Sequence, residues 1–361
     1  MPSGMTREAA VFAVAAAIDG RAVDSPADPD LIVERAIAHR VSALALRSDW
    51  AKRLSPAQSA RLGEDARLGA LHAELLDGEL RVTSARLAES GVTPLVMKGA
   101  HLARAVYSSP ALRPRSDTDL LIRPGDRSAT VETLLRCGYT HSARTSGSII
   151  LGQLAFERRL RADVTHFVDV HWRVAAPLLF EAVFDGEVLM ASAAPIPALG
   201  PYVRGPAPGH ALALACVHLV AHHWHQILLV WLHDIRLLAE ALDDDLRGRL
   251  VEEAVAGRYT VVLHAALMTA RQYFEGDGLD RAIAGVTPRV DESEPAAVLI
   301  RDGRRPVDDL WLDLRHARWG DRARLLREHV LPPADYMRAR FSGPIPLAYA
   351  KRVLRGARKW F

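Results

Sequence analysis

The chain has 361 residues with nearly balanced charge, 46 Lys and Arg against 43 Asp and Glu, for a net charge of +3. That length allows roughly two or three domains with proper cores, and the mild basic excess suits anionic ligands without arguing for a nucleic-acid partner. Two isolated cysteines, Cys137 and Cys216, exclude a disulfide framework or a cysteine metal cage and fit a reducing, cytoplasmic setting. No run of about 18 apolar residues occurs, and the first apolar stretch follows Arg7 and Glu8 without a clean signal pattern, so neither a membrane span nor a secretory leader is expected.

Residues 1–91 are alanine-rich with apolar residues at helical spacing, such as Leu31, Ile32, Ala36 and Ile37, then Leu68, Leu71, Leu75 and Leu76. They predict a helical lead-in whose last helix starts at Ser55-Pro56, runs to Glu89 and stops at Ser90-Gly91. At Val92 the pattern changes. Leu95, Val96 and Met97 predict a short buried strand, Lys98-Gly99-Ala100 a turn into a helix reaching Tyr107, and residues 108–115 a loop. A strand is expected over 118–122, a helix from Pro124 to Cys137 stopped by Gly138, and an edge strand over 139–144. Residues 154–160 and 164–172 predict a hairpin turned at Arg161-Ala162-Asp163. Residues 92–176 therefore read as a small mixed sheet. From 177 to 361 the chain becomes helical again. Five prolines over 195–208 mark an elbow, and residues 210–242 predict two helices broken near His225-Gln226. Residues 246–275 predict one amphipathic helix, 285–306 a mobile loop, and the Arg-rich 307–361 a helical surface laced with salt bridges. The fold class is α+β.

The chemistry gathers around Asp117 and Asp119, which flank Thr118. On a strand they share one face, about 6–7 Å apart at Cα. Such a pair repels itself unless a cation resolves it, and Mg²⁺ is hard and prefers carboxylate oxygen. Downstream, Phe167, Asp169 and His171 share a strand face. If the two strands are neighbours, three carboxylates can hold two divalent ions roughly 3.5–4 Å apart, the arrangement of in-line phosphoryl or nucleotidyl displacement. Upstream, Gly99 stands where a backbone can approach a ligand, at a helix N-terminus where an anion is favoured. Lys98 is one of only four lysines in a chain whose basic residues are otherwise arginine, and it can add a point charge for a triphosphate or pair with one of the acids. Arg113 and Arg115 can clamp phosphates. His171 can orient Asp169 or touch substrate. His218, His222 and His225 share one helical face. They can bind zinc, line a cleft together with Asp234, or pack as core, but the glutamate of the H-E-x-x-H pattern is absent.

The run Val96-Met97-Lys98-Gly99-Ala100, with Tyr107, Arg113 and Asp117-Thr118-Asp119-Leu120-Leu121-Ile122, resembles the uncharacterised bacterial nucleotidyltransferase family of the DNA polymerase beta superfamily. Val168-Asp169-Val170-His171-Trp172, the helix bearing His218, His222 and Asp234, and the tail from Leu331-Pro332 through Tyr349 to Arg352 are similar to it as well. The resemblance implies a polymerase-beta-like sheet core between an N-terminal helical segment and a C-terminal helical bundle. It implies Asp117, Asp119 and Asp169 as metal ligands for Mg²⁺ or Mn²⁺, and an NTP such as ATP as co-substrate. Lys98, Gly99 and Ala100, with Arg113 and Arg115, would meet the nucleotide, with Lys-Gly-Ala standing where the superfamily carries Gly-Ser. The implied reaction moves a nucleoside monophosphate to a small-molecule or protein acceptor and releases pyrophosphate, in a pocket offered by His171, His218, His222 and Asp234. Two other readings stand beside it: a non-catalytic nucleotide-binding or partner-binding protein on the same fold, and a metallohydrolase centred on His218 and His222.

Overall fold

In a computed structural model of the chain, residues 6–23, 28–143, 152–161, 164–174, 177–224 and 226–360 are described. Four helices precede the sheet: α1 (Arg7–Ile18), α2 (Pro29–Ala38), α3 (Ser42–Leu46) and α4 (Pro56–Glu89). Local chemistry sets the ends of α4. Ser55 and Gln58 exchange hydrogen bonds as a capping box, with Pro56 in the first turn. At the other end Gly91 takes φ +79°, and the Val92 amide reaches back to the Leu87 carbonyl at 2.9 Å. Helix α2 closes in the same way, but Arg40, at φ +58°, stands where glycine is usual. That conformation costs a side-chain-bearing residue about 1 kcal/mol.

The sheet has seven strands in the order β3-β4-β5-β2-β1-β7-β6. They are β1 (Leu95–Met97), β2 (Asp117–Leu121), β3 (Thr140–His141), β4 (Gln153–Arg161), β5 (Val164–His171), β6 (Ala194–Pro195) and β7 (Arg204–Gly205). β1 runs antiparallel to β2, β2 parallel to β5, and β4 and β5 form the expected hairpin. Its turn residues 162–163, and Arg144 of the expected edge strand, lie outside the described residues. The proline-rich stretch, read as an elbow, also adds β6 and β7 at the sheet edge, where a residue lacking an N–H is tolerated. Two further helices flank these strands, α5 (Lys98–Ala105) after β1 and α6 (Arg127–Arg136) after β2.

Alternation divides the sheet. Val96, Leu120, Val168 and Val170 bury into one core with Leu80 and Leu87 of α4 and Leu134 of α6. The opposite face sends Leu95, Met97 and Leu121 into a second core. That core belongs to the helices after a short α7 (Gly186–Ala191): α8 (Pro208–His223), α9 (Leu229–Glu240), α10 (Asp244–Ala256), α11 (Thr260–Tyr273) and α12 (Asp277–Val286). Val14 of α1 and Ile32 of α2 are buried in it too, so the N-terminal helices complete the C-terminal bundle while α4 covers the sheet.

Two expectations need correction. Residues 246–275 form α10 and α11 rather than one helix. Gly257 and Arg258 end α10, with Arg258 at φ +54° and the Tyr259 amide returning to the Ala254 carbonyl at 3.0 Å. Residues 285–306 are packed rather than loose. Ala296 and Leu299 are fully buried, and the Glu294 carboxylate accepts the Thr260 and Val261 amides at 3.2 and 3.1 Å, capping α11. The chain closes with α13 (Pro306–His316), α14 (Trp319–Val330), α15 (Ala334–Arg340) and α16 (Ile345–Trp360). Among the described residues no helix is long and apolar enough to cross a membrane.

Candidate active site

Register brings the acids together. Asp119 and Asp169 are direct partners on the parallel neighbours β2 and β5, and Asp117 pairs with Phe167 and Leu121 with His171. Because side chains alternate along a strand, Asp117, Asp119, Asp169 and His171 all face the same way. They line a cleft of about 510 Å³ between the sheet and helices α8 and α9. Asp119, Asp169 and His171 each offer a ligand atom within 4.8 Å of the others, and among the described residues these are the side chains close enough to share one ion. Asp117, which faces the same way, and the α8 histidines are not among them.

The charge in this face is under-compensated. Lys98 Nζ lies 2.6 Å from Oδ1 of Asp119, and Nε2 of His171 lies 3.0 Å from the same oxygen. Burial works against the Asp119 charge, but Lys98 and His171 outweigh it and hold the carboxyl well below the usual range. Burial likewise opposes the Lys98 ammonium. The three acids, Asp119 foremost, reverse that and raise its pKa. Asp117 and Asp169 fare differently. Burial and the Asp119 charge raise both, Asp169 to about 6. Lys98 is in contact with one of the three carboxylates while Arg40 and Arg113 act on Asp117 from farther off, and the donor set suits a hard divalent cation. Lys98 itself sits at φ +51°, so the chain passes from β1 into α5 through a single strained residue at the site.

Both arginines expected at phosphate are engaged with carboxylates of the framework. Arg113 donates from Nε and Nη2 to Asp234 at 2.7–3.0 Å and from Nη1 to the Pro114 carbonyl. Tyr107 donates its hydroxyl to the same Asp234 at 2.7 Å. Arg115 reaches Asp77 of α4 at 2.5 Å, the Thr118 hydroxyl at 2.7 Å and the Asp117 carbonyl at 2.9 Å. It therefore clamps the strand that carries the acids. Asp234 lines the cleft but is spent on Arg113. Gly99 makes room for these arginines: a Cβ there would stand 3.3 Å from Arg113 Nη1 and 3.4 Å from Arg115 Cβ. Ala100 is buried with Val96 and Leu120 on the far side of the sheet.

Across the cleft, α8 and α9 present a wall of rings. His218 lies 5.4 Å from His222 and 4.7 Å from His223 between ring centroids, and His223 packs at 4.0 Å on Trp231. Enclosure by the cleft walls and the nearby Lys98 charge shift the His218 pKa well below the ordinary imidazole value, and His222, which keeps an exposed surface, is shifted the same way. His225 lies outside the described residues.

Two residues escaped the sequence reading. Asp77 was legible in principle, as an acid on the apolar stripe of Leu76, Leu80 and Leu87. Arg40 carried no signal, because it belongs to a turn far from the acids in sequence and lines the cleft only through tertiary packing.

A profile of the family described as uncharacterised nucleotidyltransferase matches residues 25–275, more than half of the chain. This chain belongs to that family. The match runs from α2 through α11 and includes the whole sheet, so α2, α3 and α4 fall within the matched stretch while α1 precedes it. It ends before α12 and does not take in the tail around residues 331–352. A search of curated proteins finds no match. Family membership makes the chain a transferase that acts on a nucleotide.

Proposed function

We propose that this nucleotidyltransferase family member, of polymerase-beta type, moves a nucleoside monophosphate from an NTP to a hydroxyl of a small-molecule or protein acceptor. The acceptor hydroxyl gives its proton to Asp169 as its oxygen forms a bond to the α-phosphorus, the bond from that phosphorus to the bridging oxygen breaks, and pyrophosphate leaves. The observation that carries this reading is the parallel register that sets Asp119 beside Asp169, with Asp117 and His171 on the same face.

The residues fit Mg²⁺ or Mn²⁺. Three carboxylates crowd one face, with Lys98 the one lysine or arginine at ion-pair distance among the described residues, and Asp119, Asp169 and His171 already lie within sharing distance. Asp119 and Asp169 would hold the ion, with Asp117 as the further carboxylate. Bound there, it would supply Lewis-acid charge at the reacting phosphate. The protein's own groups do the rest. Lys98 is close enough to the carboxylates to offer its ammonium to a phosphate once a cation satisfies Asp119. Arg115 and Arg113, fixed on Asp77 and Asp234, hold the acidic strand and the first turn of α5 in place. His171 orients Asp119. The wall of His218, His222, His223 and Trp231 lines the cleft and offers planar rings to a base or an acceptor.

The cleft volume suits a nucleotide with a small acceptor group, and the acids interspersed among the C-terminal arginines leave no basic stripe for a nucleic acid. The test is incubation with labelled ATP, GTP, CTP or UTP, Mg²⁺ or Mn²⁺, and cell extract, using wild type and the Asp117→Ala/Asp119→Ala double variant. Label transferred by wild type alone supports the reading and identifies donor and acceptor class. Nucleotide binding without transfer in any extract points instead to a non-catalytic nucleotide-binding protein.

A further inference from the structure

We propose that Arg40, supplied by the N-terminal helices rather than by the sheet, contacts the triphosphate of the donor nucleotide and hence the pyrophosphate that leaves. The inference rests on the nucleotidyltransferase reading and adds to it a residue from outside the sheet.

The cations of the cleft are otherwise committed. Lys98 is paired with Asp119, Arg113 with Asp234, Arg115 with Asp77, and Arg173 with Glu181 at 3.2 Å. Arg40 lines the same cleft, is exposed to it, and has no carboxylate at ion-pair distance among the described residues. Its charge stands near enough to Asp117 to act on that carboxylate. A polyphosphate entering beside the acids would therefore meet one guanidinium that need not break an ion pair to bind it. The planar fork of arginine matches two phosphate oxygens at once.

The backbone fixes the point from which this side chain extends. Arg40 is the left-handed residue that ends α2, with its amide on the Ile37 carbonyl and the Val41 amide on the Ala36 carbonyl, both at 3.0 Å. The preceding His39 accepts the Leu229 amide on Nδ1 at 3.2 Å, tying the end of α2 to the start of α9, one wall of the cleft. Glycine would serve the turn with less strain. Arg258 fills the equivalent position after α10, also left-handed, but away from the cleft. The turn geometry is thus a general device of this chain, and position at the cleft is what distinguishes Arg40.

That pairing supplies the test. Binding of each of the four NTPs and of inorganic tripolyphosphate, with Mg²⁺, is measured by calorimetry for wild type, Arg40→Gly, Arg40→Lys and Arg258→Gly, alongside the Tm of each. The expected result is that Arg40→Gly weakens NTP and tripolyphosphate binding by about tenfold or more, the size of a lost charge-assisted contact, without lowering Tm. Arg40→Lys should retain part of the affinity, and Arg258→Gly should bind like wild type. Wild-type affinity in Arg40→Gly overturns the proposal and leaves the nucleotidyltransferase reading standing. Failure of wild type to bind any NTP overturns both.

Discussion

Lys98 places its ammonium nitrogen 2.6 Å from Oδ1 of Asp119, in the space a divalent cation would have to share. Removing the ammonium leaves Asp119, 4 % exposed, with His171 as its remaining side-chain partner among the described residues. Because Lys98 keeps a third of its side-chain surface, the cost of Lys98→Met to the metal-free protein should be about 1–3 kcal/mol, below that of a fully buried pair. Added Mn²⁺ should raise the Tm of Lys98→Met more than that of wild type, because the ion no longer competes with an ammonium. An equal Mn²⁺ shift in both proteins would show that Lys98 and the metal do not share a site.

The Arg113–Asp234 pair is a framework element by its contacts. Asp234→Ala would strand a buried guanidinium and leave the Tyr107 hydroxyl with the longer 3.3 Å contact to His233 Nδ1, at a cost of about 3–5 kcal/mol. The double variant Arg113→Met/Asp234→Leu removes both charges together and should lose clearly less. Urea unfolding of the three proteins checks this, and a double variant as unstable as Asp234→Ala would contradict it.

Gly205, in β7, lies under the buried His101 ring of α5. A Cβ at Gly205 would stand 2.2 Å from His101 Cδ2, and the ring is only 5 % exposed, so it has little room to swing away. Gly205→Ala should cost about 1–3 kcal/mol through overpacking. Gly99→Ala meets Arg113 Nη1 at 3.3 Å and should cost less. Thermal unfolding ranks the two, and the reverse order would count against the packing argument.

His166 sits in a buried network, with Nε2 2.9 Å from the Thr118 hydroxyl and Nδ1 2.8 Å from that of Tyr139. Burial, with the Arg115 charge behind it, pushes its pKa down to about 3. The unfolded chain therefore takes up a proton first as pH falls. The stability that neutral His166 contributes is whole above pH 6.5 and drains away between 6.5 and about 3. His166→Gln should be less stable than wild type at pH 7, yet lose less between pH 6.5 and 4, by up to about 1.4 kcal/mol per pH unit. Unfolding free energies across that window decide it, and parallel curves would rule it out.

Much of this architecture is written in short-range chemistry. Ser55 with Gln58, and Gly91, mark the ends of α4. Period-two spacing puts Asp117 with Asp119 and Asp169 with His171. These signals are readable because caps and strand alternation involve residues within a few positions of each other. They also mislead where a turn interrupts apolar spacing without a proline, as at Gly257-Arg258 between α10 and α11. What no local pattern contains is which segments lie side by side. That β2 and β5 are parallel neighbours, that Arg113 meets a carboxylate 121 residues away, and that Arg40 reaches the acids' cleft all follow from how distant apolar faces pack. Packing is a property of the whole chain, so it took the folded molecule to turn a row of candidate acids into a site.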